Sequence, residues 1–192
     1  MTSVPHSIAV LRTARLILRE VRESDAPAYQ KHFVDYEVIG QLSAAVPWPY
    51  PEDGVLTWIR TQIIPNQGKD RWIWGIFLRE QPEEIIGLID LWRQGRPENR
   101  GFWLGRRHWG RGIMTEAAAA VMDHAFYNLG FEKMVFANAV GNERSRRVKQ
   151  KTGARWLRTE PATFVNPHYT ERELWEITKD EWRAFRNASQ ST

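Results

Sequence analysis

The sequence predicts a single α+β domain built on a mostly antiparallel sheet with flanking helices. Two observations predict it. A chain of 192 residues suits one compact core, or at most two small ones. Its candidate elements run strand, helices, antiparallel meander, helix, strand, helix, strands, which is not the strict alternation of a doubly wound sheet. No repeat or low-complexity stretch interrupts that order. Residues 1–192 therefore read as one domain, with termini of about 1–10 and 186–192 expected to fray.

Taken in order, Arg15 to Arg19 is short, apolar at its centre and flanked by charge, the pattern of a strand. Ser24-Asp25 opens a helix through Phe33, with Ser24 as N-cap and Pro27 in the tolerant first turn. Val46 to Pro51 holds three prolines in five positions, a rigid extended loop displaying Trp48 and Tyr50. Pro51-Glu52-Asp53 suits the first turn of a helix carrying Leu56, Trp58, Ile59 and Ile63. Arg71 to Leu78 and Ile85 to Trp92 read as a hairpin turning at Glu80 to Glu84, and Arg100 to Leu104 as a third strand of that meander. Gly112 to Leu129 is the strongest helix, with Ala117, Val121, Ala125 and Leu129 on one face and Gly130 as its stop. Met134 to Ala139 is a strand and Asn142 to Thr152 a short helix stopped by Gly153. Arg155 to Arg158 and Arg172 to Thr178 close the sheet, and the tail after Asp180 is helical.

Composition excludes several chemistries. Without cysteine there is no disulfide, zinc–thiolate site, iron–sulfur cluster or thiol nucleophile. A formal charge of +4 suits anionic small molecules and is too mild to argue for nucleic acid. The longest apolar runs are about six or seven residues against the ~20 of a membrane span. The first eleven residues carry no secretory pattern, so the cytoplasm is the default. No metal is expected.

The sharpest local signal is Arg107-His108-Trp109-Gly110-Arg111-Gly112-Ile113-Met114-Thr115, between a strand and the best helix. Glycines at 110 and 112 let a backbone approach a ligand closely, and the helix behind adds the positive end of its dipole. Together they suit phosphate or pyrophosphate, with Arg107 and Arg111 adding charge. A glycine turn that only packs strand on helix has the same local pattern. A P-loop would need Gly-Lys-Ser/Thr, and a dinucleotide fingerprint a third glycine where Thr115 stands. The second signal is Asn142 to Lys149, an N-cap followed by a dense basic run.

These segments together resemble the GNAT superfamily of N-acetyltransferases, and most closely its RimJ/RimL-like branch. Arg107, Gly110 and Gly112 match the family's Arg/Gln-x-x-Gly-x-Gly/Ala turn. Trp109 to Ala117 matches the branch's Trp-Gly-x-Gly-x-x-Thr-Glu-Ala, and Asn142, Ser145, Arg147 and Val148 its Asn-x-x-Ser-x-Arg-Val. Thr13 to Arg19 and the Pro47-Trp48-Pro49-Tyr50 loop extend the likeness over roughly residues 11 to 180. The resemblance implies a twisted sheet whose central strands splay to seat acetyl-CoA, the cosubstrate. It places the pyrophosphate on main-chain amides of 107 to 112, with Thr115 close by. It puts the pantetheine arm against the main chain of Trp103 and Leu104, with Asn142 on the other side, and Arg147 or Arg146 near the adenosine phosphates. The sequence departs from the pattern twice. Lys149-Gln150-Lys151-Thr152-Gly153-Ala154 replaces Leu-Glu-Lys-Leu-Gly-Phe, and Asn99 stands where the branch often has glutamate.

Acetyl transfer needs a neutral amine, a polarised carbonyl and a proton for the departing thiolate. An α-amine, with a pKa of about 7.7–8.0, needs far less help than lysine at about 10.4. The resemblance points to Ser145 as the acid; a serine that only supports its helix start is the alternative. Asp90, a carboxylate inside an apolar strand, is the leading base, and its alternative is an ion pair with an arginine such as Arg93 or Arg106. Glu98 is a second candidate. Glu116 reads as a charge favoured by the helix dipole, and His108 and His124 as surface or packing residues. Trp48, Tyr50 and Tyr169 are expected to wall the acceptor site. The acceptor expected first is a protein N-terminal α-amine, with a small amine as runner-up. A CoA-binding module without catalysis is the competing class. A membrane partner is not expected, and a homodimer is compatible with the reading.

Overall fold

A computed structural model of the chain describes residues 8–190. One open sheet organises it. β1 (Leu11–Arg12), β2 (Leu16–Glu20), β3 (Arg71–Leu78), β4 (Gln81–Trp92), β5 (Arg100–Leu104), β6 (Lys133–Ala139), β7 (Arg155–Pro161) and β8 (Glu171–Thr178) lie in the order β1-β2-β3-β4-β5-β6-β8-β7. Every neighbouring pair is antiparallel except β5 and β6, which are parallel and meet at one position, Arg100 opposite Phe136. The expected α+β sheet with splayed central strands is the observed one.

Among the described residues six α-helices cover the faces: α1 (Ala26–Phe33), α2 (Tyr36–Ile39), α3 (Gly54–Trp58), α4 (Ile113–Tyr127), α5 (Glu143–Lys151) and α6 (Lys179–Gln190). β3 is buried along both faces, which explains why its sequence is apolar without alternation. On one face Leu16, Leu18, Trp74, Ile76 and Ile89 pack under α4, where Ala117, Ala118, Val121, Met122, Ala125 and Phe126 are all buried. The alanines let α4 lie close to the sheet, and each large side chain buried there contributes about 1.5–3 kcal/mol. On the other face Ile73, Phe77, Ile85, Leu88 and Trp103 meet Tyr29, Phe33, Val55, Ile59 and Ile63.

Several boundaries differ from expectation for physical reasons. Ser24 does not cap α1: Asp25 sits there instead, with its carboxylate accepting from Arg19 and from the Arg22 N–H. The helix expected over 51–63 is a five-residue α3 that widens into a π-turn at Ile59–Ile63. The β3–β4 turn is only Arg79-Glu80, because Glu84 belongs to β4 and bonds Lys31 and His32. Residues 186–190 belong to α6, which is tied to α4 through Asp123, the acceptor from Trp182 Nε1 at 2.9 Å and from Arg186 at 3.0 Å. The remainder of the terminal stretches, 1–7 and 191–192, lies outside the described residues.

Candidate active site

The gap between β5 and β6 is the first feature of the site, and Asn99 closes its inner end. Its N–H donates to the Val135 carbonyl at 2.7 Å, its Oδ1 accepts from the Val135 N–H at 2.8 Å, and its Nδ2 donates to the Trp92 carbonyl. One side chain thus ties β4, β5 and β6 together just before β5 and β6 part. Sequence reading registered Asn99 only as a departure from a glutamate pattern; an amide, with donor and acceptor, makes a clamp that a carboxylate could not.

Ladder geometry decides which main-chain groups face the gap. The Trp92 N–H donates to Asn99 and the Gly105 N–H to Ile86, so alternate β5 residues 101, 103 and 105 direct their peptide groups at β4. Trp103, expected to hold an arm lying in the gap, is therefore corrected: its peptide groups are turned away. Phe102 and Leu104 face the gap, and the Leu104 carbonyl already accepts from Trp109 Nε1 at 2.7 Å.

At the outer end, Gly110 and Gly112 both have φ of 73°, a left-handed conformation that side-chain-bearing residues adopt only with strain. Gly112 is the N-cap of α4 and supplies no side-chain cap, so the first-turn N–H groups stay open to an anion. Arg107 and Arg111 are exposed beside them. Glu116 has a structural task. It accepts from Thr13, from the Arg15 N–H and from the Arg15 guanidinium at 2.7 Å, and these donors hold its carboxyl below the usual range against its partial burial. Arg15 also donates to the Arg111 carbonyl, bracing the turn. His108 turns toward α1, its ring 5.5 Å from His32, and burial pushes its pKa down. Its side chain thus faces away from the anion turn. A cavity of about 560 Å³ opens beside α4, lined in part by Gly112, Thr115, Lys151 and Arg186.

α5 forms the far wall. Asn142 caps it, its Oδ1 accepting from the Ser145 N–H at 3.1 Å. Arg144 stacks over Trp109 at 3.8 Å, linking α5 to the glycine turn, while Arg147 is exposed. Arg146 lies between Glu143 at 3.4 Å and Glu173 at 3.6 Å. The apolar-to-polar departures acquire a physical account here. The Thr152 hydroxyl is satisfied within the helix by the Val148 carbonyl at 2.8 Å. Gly153 lies against the Phe185 ring of α6, which fills the space next to the missing aromatic. Lys149 is 1% exposed and its Nζ donates to Ser145 Oγ at 2.8 Å.

Arg100, at the point where the strands part, is equally buried. Its guanidinium lies 3.8 Å over the Phe136 ring, and none of its three side-chain nitrogens has a hydrogen-bond partner. Burial lowers its pKa to about 9. Sequence reading missed Arg100 and met Lys149 only as a polar residue at an apolar packing position, four residues after Ser145.

Asp90 lies on the opposite face of the sheet, with Trp103. Its carboxylate takes three contacts from Arg71, at 2.5, 3.0 and 3.2 Å, so its arginine is Arg71 rather than Arg93 or Arg106. Burial pushes the Asp90 pKa up while Arg71 pulls it down, and the net is upward. Tyr29 accepts from Trp103 Nε1 at 3.2 Å, and burial drives its own pKa up. Glu98 is engaged by Arg172 at 3.1 Å. Tyr50 packs edge-on against Phe33 and Trp48 against Tyr36, Trp48 remaining 43% exposed. The loop bearing them pairs with the loop bearing Tyr169 through Ser43 and Phe164. Tyr169 reaches the turn before α5, near Gly141. His124 packs on Trp74. Among the described residues no helix is long and apolar enough to cross a membrane.

Residues 15–155 match the acetyltransferase (GNAT) domain family, and the chain belongs to it. The Bacillus subtilis protein YdaF, whose name assigns it provisionally to ribosomal N-acetylation, is 28% identical over 99 residues, 51% of this chain and 54% of the relative. The match thus spans about half of that relative's length. YoaA of the same organism, an uncharacterized N-acetyltransferase, is 29% identical over 146 residues, 75% of this chain and 81% of its own. Among solved structures, the ribosomal-protein-S5-alanine acetyltransferase of Vibrio fischeri shares the fold with a TM-score of 0.75 at 16% identity, covering 91% of this chain and 99% of that one.

Proposed function

We propose that the chain is a cytoplasmic, acetyl-CoA-dependent N-acetyltransferase whose acceptor is a protein N-terminal α-amine. The observation that carries the cosubstrate is the pair of left-handed glycines at 110 and 112, placed at the uncapped start of α4 and at the mouth of the β5–β6 gap. That arrangement suits a ligand with a pyrophosphate at one end and an extended, amide-bearing arm at the other. The open N–H groups would take the pyrophosphate. Phe102 and the Leu104 N–H would pair with the arm, and the cavity beside Lys151 and Arg186 gives the nucleotide end room.

Trp103, Tyr29, Phe33 and Tyr50 would form the acceptor side, with Trp48 at its rim. The amine attacks the thioester carbonyl directly within the ternary complex. Asp90, its pKa raised by burial, receives the amine's proton directly or through water, and Ser145 donates a proton to the sulfur as the C–S bond breaks. Holding both substrates in place supplies much of the rate. An α-amine is favoured because it is partly neutral near pH 7, and the ribosomal N-acetylation in the name of YdaF favours a protein acceptor.

Thiol release and mass spectrometry test this with unblocked peptides, N-blocked lysine peptides and small amines. Acetylation at peptide α-amines is expected. Thiol release with small amines alone would overturn the acceptor; none with any amine would overturn the activity.

A further inference from the structure

We propose that Lys149 is the proton source behind Ser145, with Arg100 keeping it ready to give that proton up. The inference rests on the acetyltransferase reading above and assigns work to two buried cations that a packing core has no reason to keep.

The geometry comes first. Lys149 and Ser145 are one helical turn apart on α5, so their side chains meet on one face. Lys149 Nζ donates to Ser145 Oγ at 2.8 Å and, more distantly, to the Ser145 carbonyl at 3.3 Å. Ser145 is half-buried and Lys149 is 1% exposed, and the Lys149 ammonium that bonds the hydroxyl lies 5.4 Å over the ring of Phe102, which faces the gap. A serine hydroxyl is a poor acid by itself. A donor bonded to its oxygen lets it release its own proton and take another in the same motion.

The charges around Lys149 come from three elements. Arg100 on β5 repels its ammonium, and Glu173 on β8 attracts it. Glu173 is shared: its Oε2 accepts from Asn138 Nδ2 and Trp175 Nε1, and its Oε1 lies 3.6 Å from Arg146 of α5. The carboxylates of α4 are committed elsewhere, Glu116 to Arg15 and Asp123 to Arg186. Two deeply buried cations thus face one buried carboxylate. Burial, and then Arg100, carry the Lys149 pKa well below its ordinary value, which makes its ammonium a stronger acid. The same excess of positive charge complements negative charge developing on sulfur.

The step balances without a further reagent. The C–S bond breaks and its electron pair stays on sulfur. Sulfur takes the Ser145 proton, Ser145 Oγ takes one from Lys149 Nζ, and neutral Lys149 is reprotonated from water. The proton lost by the attacking amine leaves through Asp90 or water.

The test is the pH dependence of kcat and of KM for acetyl-CoA in wild type, Lys149→Met, Lys149→Arg, Ser145→Ala, the Lys149→Met/Ser145→Ala pair and Arg100→Met. Methionine restores an apolar side chain of similar length, and a melting temperature no lower than wild type verifies the fold. Lys149→Met should lower kcat at least tenfold, leave KM within about twofold and remove the alkaline limb of the wild-type profile. Adding it to Ser145→Ala should cost nothing more. Lys149→Arg, which stays protonated, should move the limb beyond the measured range. Arg100→Met should shift it to higher pH. An unchanged limb in Lys149→Met, or fully additive losses in the pair, overturns the relay. So does a wild type that turns over succinyl-CoA faster than acetyl-CoA and loses that preference in Arg100→Met, since the cations would then serve a carboxylate on the acyl group. Absence of thiol release by wild type with every amine overturns the acetyltransferase reading and the relay with it.

Discussion

The two sides of the β5–β6 gap are built on different principles. From β2 to β5 the sheet is sandwiched between two apolar clusters, and its buried ionisable groups Asp25 and His32 have close partners in Arg19 and Glu84. From β6 to β7 the interior holds Asn138, Lys149, Glu173 and Glu176, and Arg100 stands unpartnered at the boundary. The first side holds its shape by apolar burial together with paired charges such as Arg19–Asp25 and Arg71–Asp90. The second carries buried charge that packing would avoid, and that cost is tolerated where charge has chemical work. In the proposed reaction, the side richer in charge is the one that meets the charge developing on sulfur.

Four predictions can break or sharpen that contrast, beginning with the largest effect. Gly112→Val forces a β-branched residue to a φ of 73° and distorts the turn, so acetyl-CoA affinity should fall at least a thousandfold by calorimetry. Ile76→Ala empties a fully buried site in the first side; urea unfolding should show a loss of about 2–5 kcal/mol with kcat unchanged at temperatures where the protein is folded. Ser145→Ala should lower kcat about a hundredfold while KM for acetyl-CoA holds. A stability loss without a rate loss would return Ser145 to a helix-start role.

The fourth concerns pH and separates the sides most clearly. Lys149 has a folded pKa below its ordinary 10.5, so the unfolded chain binds the extra proton. Stability is therefore penalised below the folded pKa and recovers as pH rises toward 10.5. Lys149→Met should stabilise the protein by about 1–4 kcal/mol at neutral pH, and the gain should shrink at high pH. The first side behaves oppositely. Lys31, with His32, holds Glu84 at about 2, so its contribution is present above the ordinary 4.5 and is lost as pH falls through 2. Glu84→Gln should flatten only the acid limb of a denaturation series.

This contrast also marks what could be read from the residues. The meander, α4 and both glycines of the turn were legible because apolar runs, helical spacing and positive φ each leave a local mark. Asn142 as the cap of α5 was legible for the same reason. Asn99 as a clamp, the Arg71–Asp90 pair and the turning of Trp103 away from the gap were not, because each depends on which strands meet. Lys149 showed in the sequence as a broken packing pattern. Only the fold reveals that its ammonium ends on the Ser145 hydroxyl.

The central claim is that the β5–β6 gap with its glycine turn takes acetyl-CoA, and direct calorimetric titration tests it most plainly. The account predicts one-to-one binding at micromolar concentration by the wild type, retained in Ile76→Ala and lost in Gly112→Val. Heat of binding that is absent from the wild type, or unchanged in Gly112→Val, would contradict it.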